Sequence, residues 1–459
     1  MRYMVFSAPE GYGDRMRLQK YRIFAALILA GLPVLTYAPD SLAAPPEETP
    51  DWFQQSALPG HSITMLPTGD HLTEARHDLL ERATRSIYIS TYMFIPDEAG
   101  LDIAYRLCAK AKEGIDVRLY ADSYGSKPLK KRKYVEWLQR CGVRVLFFNP
   151  PRWGVLDLMQ VMHEKLFIVD GTHVLVGGNG YDNRYRRASR NSKIWHDIEF
   201  KVAGPVACWY HYQFIETWKQ GTERTIIAET SISESTSSEA PSSPKPAFTP
   251  EELSRFFGID QFTSCEPVVS GTSNIAPFYG SPMFSKERPL LKAHLNALKA
   301  SKRRVVFYSP YFIPHEDFAA ALLAARKRGV EVLIITNSPE SSDEKAAITL
   351  GMMYKVRRLM RAGVKIYLWQ EPSTMHRKGG IYDDRWAYFG SDNLDRRAQE
   401  YSTETIAFTD DEHVLQQLHA EYEQDLLLSI PMTREFMQKF ALEAPLLTRW
   451  AARILLKYM

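Results

Sequence analysis

From residue 60 onward the chain alternates two apolar patterns. Short runs rich in β-branched and aromatic residues (Ser86 to Pro96, Gly114 to Asp122, Val143 to Phe148) are separated by stretches whose apolar positions recur every three to four residues. The first kind reads as strands and the second as helices. The same order then returns: Val305 to Pro314 parallels Ser86 to Pro96, Gly329 to Asn337 parallels Gly114 to Asp122, and Val364 to Trp369 supplies the third strand. Strand, helix, strand, helix, strand, met twice, predicts an α/β protein of two homologous α-β-α sandwich lobes with a largely parallel or mixed sheet. The lobes are expected at residues 60–225 and 263–430.

Outside the lobes the pattern changes. A basic patch, RMRLQKYR, precedes the apolar run Ile23 to Leu35, and small residues follow up to Pro45. Residues 1–44 therefore read as a signal peptide or N-terminal anchor, with Met16 an alternative start. Pro33 and the shortness of the run favour cleavage over anchoring. The expectation is a catalytic body exported across the inner membrane, periplasmic or anchored facing outward, with secretion as a further outcome. Residues 226–262 read as a linker, since Glu229 to Pro250 is rich in Ser, Pro and Glu. Residues 431–459 read as a C-terminal tail. In it Arg449, Arg453 and Lys457 alternate with Trp450, Ile454, Leu455 and Leu456, which fits an interfacial amphipathic helix or one packed on the domain.

Candidate chemistry sits in a second repeat. MHEKLFIVDGTHVLVGGNGYDNR carries His163, Lys165 and Asp170, with Gly177 and Gly178 after them; MHRKGGIYDDRWAYFGSDNLDRR carries His376, Lys378 and Asp383, followed by Gly390 and Ser391. The two histidines lie 213 residues apart and Gly114 and Gly329 lie 215 apart, so the motifs belong to the duplication. Each motif reads as a strand and hairpin, which puts a histidine and a lysine two residues apart on one face. Imidazole beside ammonium suits a phosphodiester: one group attacks phosphorus or moves a proton, and the other holds a phosphate oxygen. Ser391 and Asn393 are candidate phosphate donors.

These motifs resemble the duplicated HKD motifs of the phospholipase D superfamily, and the chain is most similar there to bacterial cardiolipin synthases. The resemblance runs from about Gly60 to about Leu428. It implies an internal pseudo-twofold, one phosphohistidine, a second histidine that protonates the leaving alcohol, and neither metal nor cofactor. It implies catalytic roles for His163, Lys165, Asp170, His376, Lys378 and Asp383, and histidine-orienting carboxylates at Asp197 and Glu404. The first motif ends Gly177-Gly178-Asn179-Gly180, so its amide, Asn179, is one position out of place as a phosphate ligand. The function implied is a phosphatidyltransferase acting on glycerophospholipids, with phosphatidylglycerol and phosphatidylethanolamine as substrates and the membrane surface as partner. An exported hydrolytic phospholipase D is the alternative, ahead of a nuclease or a non-catalytic membrane-binding scaffold.

Charge and cysteines change this little. A net charge of +3 gives no reason to expect nucleic acid. Cys108, Cys141, Cys208 and Cys265 have no zinc spacing; buried thiols are the default reading, and a Cys108 to Cys141 pair is left open. Lys127, Lys130, Lys131, Arg132 and Lys133, and Lys355, Arg357, Arg358 and Arg361, read as solvated faces or as sites for anionic headgroups. Phe147 to Met162, with Trp153, Leu156 and Met159, reads as an acyl-chain entrance, a lid loop or core.

Overall fold

The computed structural model describes residues 50–149, 160–186, 194–235, 249–281, 286–344 and 346–455. The N-terminal apolar run, the segment with Trp153, Leu156 and Met159, residues 236–248 of the Ser/Pro-rich linker and the last four residues lie outside these.

Lobe one contributes β1 (Leu58–Leu66), β2 (Ser86–Thr91), β3 (Asp116–Asp122), β4 (Arg144–Phe148), β5 (Leu166–Val169), β6 (His173–Gly177) and β7 (Glu199–Ala203). Lobe two contributes β8 (Ser273–Gly280), β9 (Arg304–Tyr308), β10 (Glu331–Asn337), β11 (Lys365–Trp369), β12 (Gly379–Tyr382), β13 (Trp386–Gly390), β14 (Glu404–Thr409) and β15 (Ser429–Pro431). Reading outward from β1, lobe one runs β7-β6-β5-β2-β3-β4; outward from β8, lobe two runs β14-β13-β12-β9-β10-β11 and adds β15. The orders match strand for strand, so the pseudo-twofold is visible in the connectivity. β2 to β4 and β9 to β11 are parallel, as strands joined by crossover helices must be, and the others are antiparallel. Sequence reading left the two sheets separate. Here β1 pairs antiparallel with β8 and makes one sheet of fifteen strands.

Helices cover both faces because the strands are apolar on both. In β2, Ile87 and Ile89 enter one core and Tyr88 another. The core holding Tyr88 continues into lobe two through Phe200, whose ring stacks on Phe389 with centroids 4.1 Å apart, and through Val414, Leu415 and Leu418. The lobes thus share hydrophobic interior beneath the site.

Two expectations change. The linker span contains helix: one helix runs Pro205–Ser235, and a second, Pro250–Phe257, starts on a Thr249/Glu252 capping box and stops at Gly258 in the left-handed conformation. The four cysteines are not buried thiols. Cys108 pairs with Cys141, and Cys208 on the long helix pairs with Cys265 in the segment that leads to lobe two.

The motif aspartates are held at the hairpin tips. Asp170 and Asp383 adopt positive φ, 55° and 54°, where β5 and β12 turn back. The Asp170 carboxylate accepts from the backbone N–H of Thr84, Arg85 and Ser86 and from the Thr84 hydroxyl, at 2.8 to 2.9 Å. Asp383 accepts from the N–H of Lys302, Arg303 and Arg304 at 2.6 to 3.0 Å. Each therefore pins its hairpin to the first turn of the neighbouring strand, β2 or β9. Burial pushes the Asp170 carboxyl up, but the N–H and hydroxyl donors outweigh it and hold it below the usual range. The catalytic assignment of Asp170 and Asp383 is corrected on this ground: both lie at the end of the strand remote from the histidine and lysine. Asp383→Ala should cost about 2–4 kcal/mol of unfolding free energy, because three N–H groups lose their acceptor, while turnover per folded molecule stays within a few-fold. Denaturant unfolding beside assays of the soluble fraction checks this; a 100-fold loss of turnover at unchanged stability would contradict it.

Candidate active site

His163 and Lys165 do not lie within a strand; they occupy the extended lead-in to β5, and His376 and Lys378 occupy the lead-in to β12. Each lead-in is tied to the other lobe. The N–H groups of His163 and Glu164 donate to Thr403 O, and Thr403 N–H donates to Val161 O, at 2.8 to 2.9 Å. In the mirror arrangement His376 N–H donates to His196 O and His196 N–H to Thr374 O, at 2.7 and 2.8 Å. Residues just before β14 thus clasp the first motif, and residues just before β7 clasp the second.

The clasp brings the carboxylates in. His376 Nδ1 lies 2.6 Å from Asp197 Oδ2 in an aligned hydrogen bond. His163 Nδ1 lies 2.8 Å from Glu404 Oε1, in contact but without hydrogen-bond alignment. Each imidazole therefore meets an acid from the opposite lobe. Lys165 Nζ donates to His163 O, and Lys378 Nζ donates to His376 O at 2.6 Å while lying 3.0 and 3.1 Å from the two ring nitrogens of His376.

Both histidines, Lys165 and Glu404 line one cavity of about 340 Å³. Its walls are aromatic: the Tyr92 ring lies 5.3 Å from His163, and Trp195, Tyr185 and Tyr311 lie 4.5, 5.9 and 6.4 Å from His376. Arg397 faces the cavity and bonds the Tyr92 hydroxyl. Of the three expected phosphate ligands only Asn393 lines the space. Ser391 is fully buried with its hydroxyl on Glu404 Oε2, and Asn179 gives its amide to Glu199 Oε2 at 2.7 Å. Both are corrected to supports, since their donors are spent inside the protein. Lobe one has no hydroxyl to match Ser391 because a Cβ at Gly178 would already stand 2.6 Å from the Asp197 carboxylate.

Burial governs the charges. It pushes both imidazoles well below their ordinary value, and Lys165 and Lys378 add to that. The histidines are consequently neutral; His376 has Asp197 at Nδ1 and the Lys378 ammonium beside Nε2. Burial lowers Lys165 to about 7 and Lys378 to about 8, against the pull of Glu404 and Asp197. It raises Asp197 to about 6 and Glu404 well above its usual value.

Further groups hold this arrangement that the motifs did not announce. Asp122, at the end of β3, accepts from Met162 N–H at 2.9 Å; Asn337, at the end of β10, accepts from Met375 N–H at 2.9 Å and donates to Met375 O. Met162 and Met375 each immediately precede a motif histidine. The repeat carried a signal, since Asp122 and Asn337 end matched strands. So did Tyr92 and Tyr311, which stand at matched places after β2 and β9.

Two lobes related by a pseudo-twofold, each with a His-Lys pair and a carboxylate and with both histidines on one cavity, define a phospholipase D-type enzyme. Residues 77–218 and 294–426 match the family described as cardiolipin synthase, PLD-like domain, and the chain belongs to it. It is similar to the cardiolipin synthase of Geobacillus sp. (strain WCH70), 26% identical over 377 residues, 82% of this chain and 68% of that one. Cardiolipin synthase A of Pseudomonas fluorescens (strain Pf-5) is 27% identical over 389 residues, 84% of this chain and 73% of that one. For cardiolipin synthase 2 of Bacillus anthracis the identity is 26% and the shares are 79% and 64%, so the chain spans roughly two thirds of these relatives. Among solved structures, the phosphatidylserine synthase of Haemophilus influenzae Rd KW20 shares the fold, with a TM-score of 0.59 at 17% identity over 86% of this chain and 92% of that one.

The charges predict a bell-shaped pH profile for kcat/KM, with limbs that belong to the cluster as a whole. Activity should fall as pH drops through about 6, where Asp197 takes up a proton, and as pH rises through about 7 to 8, where Lys165 and Lys378 lose theirs. Lys165→Arg keeps its charge and should carry the alkaline limb upward to about 8, where Lys378 titrates; an unmoved limb in that variant would contradict the assignment.

Proposed function

We propose that the protein is a phosphatidyltransferase that moves a phosphatidyl group between alcohols through a phosphohistidine, acting as a cardiolipin synthase. The observation that carries this is the pair of neutral imidazoles on one cavity, each backed by a buried carboxylate. His163, with 13% of its side chain exposed against 6% for His376, is the better placed nucleophile. Its Nε2 forms the bond to phosphorus as the bond to the leaving alcohol oxygen breaks, and that oxygen takes a proton from His376. The ammonium of Lys378, 3.1 Å from His376 Nε2, supplies that proton; His376 then takes the proton of an incoming lipid alcohol, whose oxygen displaces His163, and returns it to Lys378. Lys165, Lys378 and Asn393 hold the phosphate oxygens where negative charge builds. With phosphatidylglycerol as donor and acceptor the products are cardiolipin and glycerol; phosphatidylethanolamine is a second donor.

Export of the catalytic body is part of this reading, and the two disulfides support it, since such bonds persist in oxidising compartments. Protein taken from cells and alkylated before reduction should carry no thiol label; four labelled cysteines would argue for a cytoplasmic enzyme.

Full-length protein on phosphatidylglycerol vesicles in EDTA should release glycerol and form cardiolipin in equal amounts. His163→Ala should lose about 10³-fold or more of that rate, the scale of an essential proton-transfer or nucleophilic group. Phosphatidic acid as the sole product would replace the transferase by a hydrolase, and unchanged turnover in His163→Ala would remove the mechanism.

A further inference from the structure

We propose that the C-terminal helical hairpin, Arg434–Glu443 and Leu446–Leu455, is the surface by which the protein seats itself on an anionic phospholipid bilayer. The proposal rests on the reading that the substrate is a lipid, and it assigns where that lipid's bilayer is met.

The hairpin has one face packed and one face bare. Ala444 and Ala452 are buried against Leu350 of the helix Ala346–Arg361, with Tyr354 and Phe440 beside them. Leu442, Leu446, Leu447 and Trp450 are exposed by 71%, 79%, 74% and 62%. At 3.6 residues per turn Leu446, Leu447, Trp450 and Arg453 fall within about 120° of the helix circumference. Arg449 locks the corner between the two helices by donating to Ala444 O and Leu442 O at 2.8 and 2.6 Å. The bare face is therefore a fixed feature of the fold. Four large apolar side chains make too small a patch for a stable second copy, which needs about 20–30 residues a side. Trp, Leu and flanking cations are the composition that settles at a lipid headgroup boundary.

Charge selects the same occupant. Arg434, Lys439 and Arg453 on the hairpin are exposed, with Glu435 and Glu443 as the opposing acids. On the helix beneath, Arg357, Arg358 and Arg361 are exposed, and residues 346–361 include no acid at all. An anionic surface completes this cationic rim.

The patch and the catalytic cavity are built on one helix. Ile348, in the first turn of Ala346–Arg361, lines the catalytic cavity, and Leu350, two residues on, is the residue the hairpin covers. One rigid helix thus spans from the cavity wall to the docking face.

Among the described residues no cysteine is free, so a single introduced thiol can be labelled. Full-length Leu447→Cys carrying an environment-sensitive fluorophore should shift to the blue and be quenched by doxyl lipids on vesicles of phosphatidylglycerol and phosphatidylcholine. A label at Tyr105→Cys, 63% exposed on lobe one, should do neither. A label at 447 that stays in water on vesicle-bound protein would overturn the proposal. So would one already shielded before vesicles are added, since another segment or a second copy would then cover the face. In parallel, the double variant Leu446→Glu/Trp450→Glu should lose at least tenfold of turnover on vesicles yet stay within twofold of wild type on a dispersed short-chain phosphatidylglycerol. Equal loss on both substrates would also overturn it, because the hairpin would then serve the site itself. The labelling result is independent of turnover, so an inactive wild type would count against the transferase reading and leave the docking measurement standing.

Discussion

Each imidazole at the centre of this protein takes its carboxylate from the opposite lobe, and that exchange is the constraint on which the site depends. Asp197 from lobe one holds His376 of lobe two; Glu404 from lobe two faces His163 of lobe one. Neither lobe alone contains a motif histidine with its acid. The backbone clasps at Thr403 and His196 fix the exchange at both ends, and the β1 to β8 pairing with the Phe200–Phe389 stack keeps the lobes from sliding. A displacement of one lobe by an ångström would break two histidine–carboxylate contacts at once, and hydrogen-bond strength falls steeply with such misplacement.

The same exchange sets the electrostatics. Charged groups buried at a seam between two domains lose water from both sides, and here desolvation is the largest influence on both histidines, both lysines and both carboxylates. It drives each group toward its neutral form, which leaves neutral nucleophilic imidazoles and lysines that titrate near neutrality. An incoming phosphate anion restores the lysine charge that burial had made costly. Substrate binding and charge creation are thereby coupled, and the cavity is poised for an anion before one arrives.

The duplication was legible in the sequence because it is a pattern along the chain. Alternating strand and helix signals at a constant offset gave the lobes, the pseudo-twofold and the strand content, and the spacing of His163 and Lys165 put them on one face. What was not legible lies across the chain. Nothing local to Asp197 says that its partner is 179 residues away in His376. Ser391 and Asn179 looked like donors to a ligand because hydroxyl and amide serve a phosphate and a buried carboxylate equally well; only the position of Glu404 and Glu199 decides. Asp170 and Asp383 keep constant spacing from their histidines for a conformational reason: each closes a hairpin at positive φ and takes up the N–H groups that open the neighbouring strand. The cysteine pair at Cys208 and Cys265 escaped notice because the two fall in spans assigned to different lobes, and nothing local to either says that the segment after the linker returns to the long helix.

The central claim is that the two half-sites act in sequence on one phosphorus, with a covalent adduct on one histidine. The most direct measurement is to quench full-length protein during steady turnover of phosphatidylglycerol and map adducts on its peptides by mass spectrometry under alkaline conditions that preserve phosphohistidine. A phosphatidyl adduct on His163 that disappears when donor lipid is exhausted, with none on His376, is the predicted result. Continued turnover with neither histidine modified at any time would contradict the account.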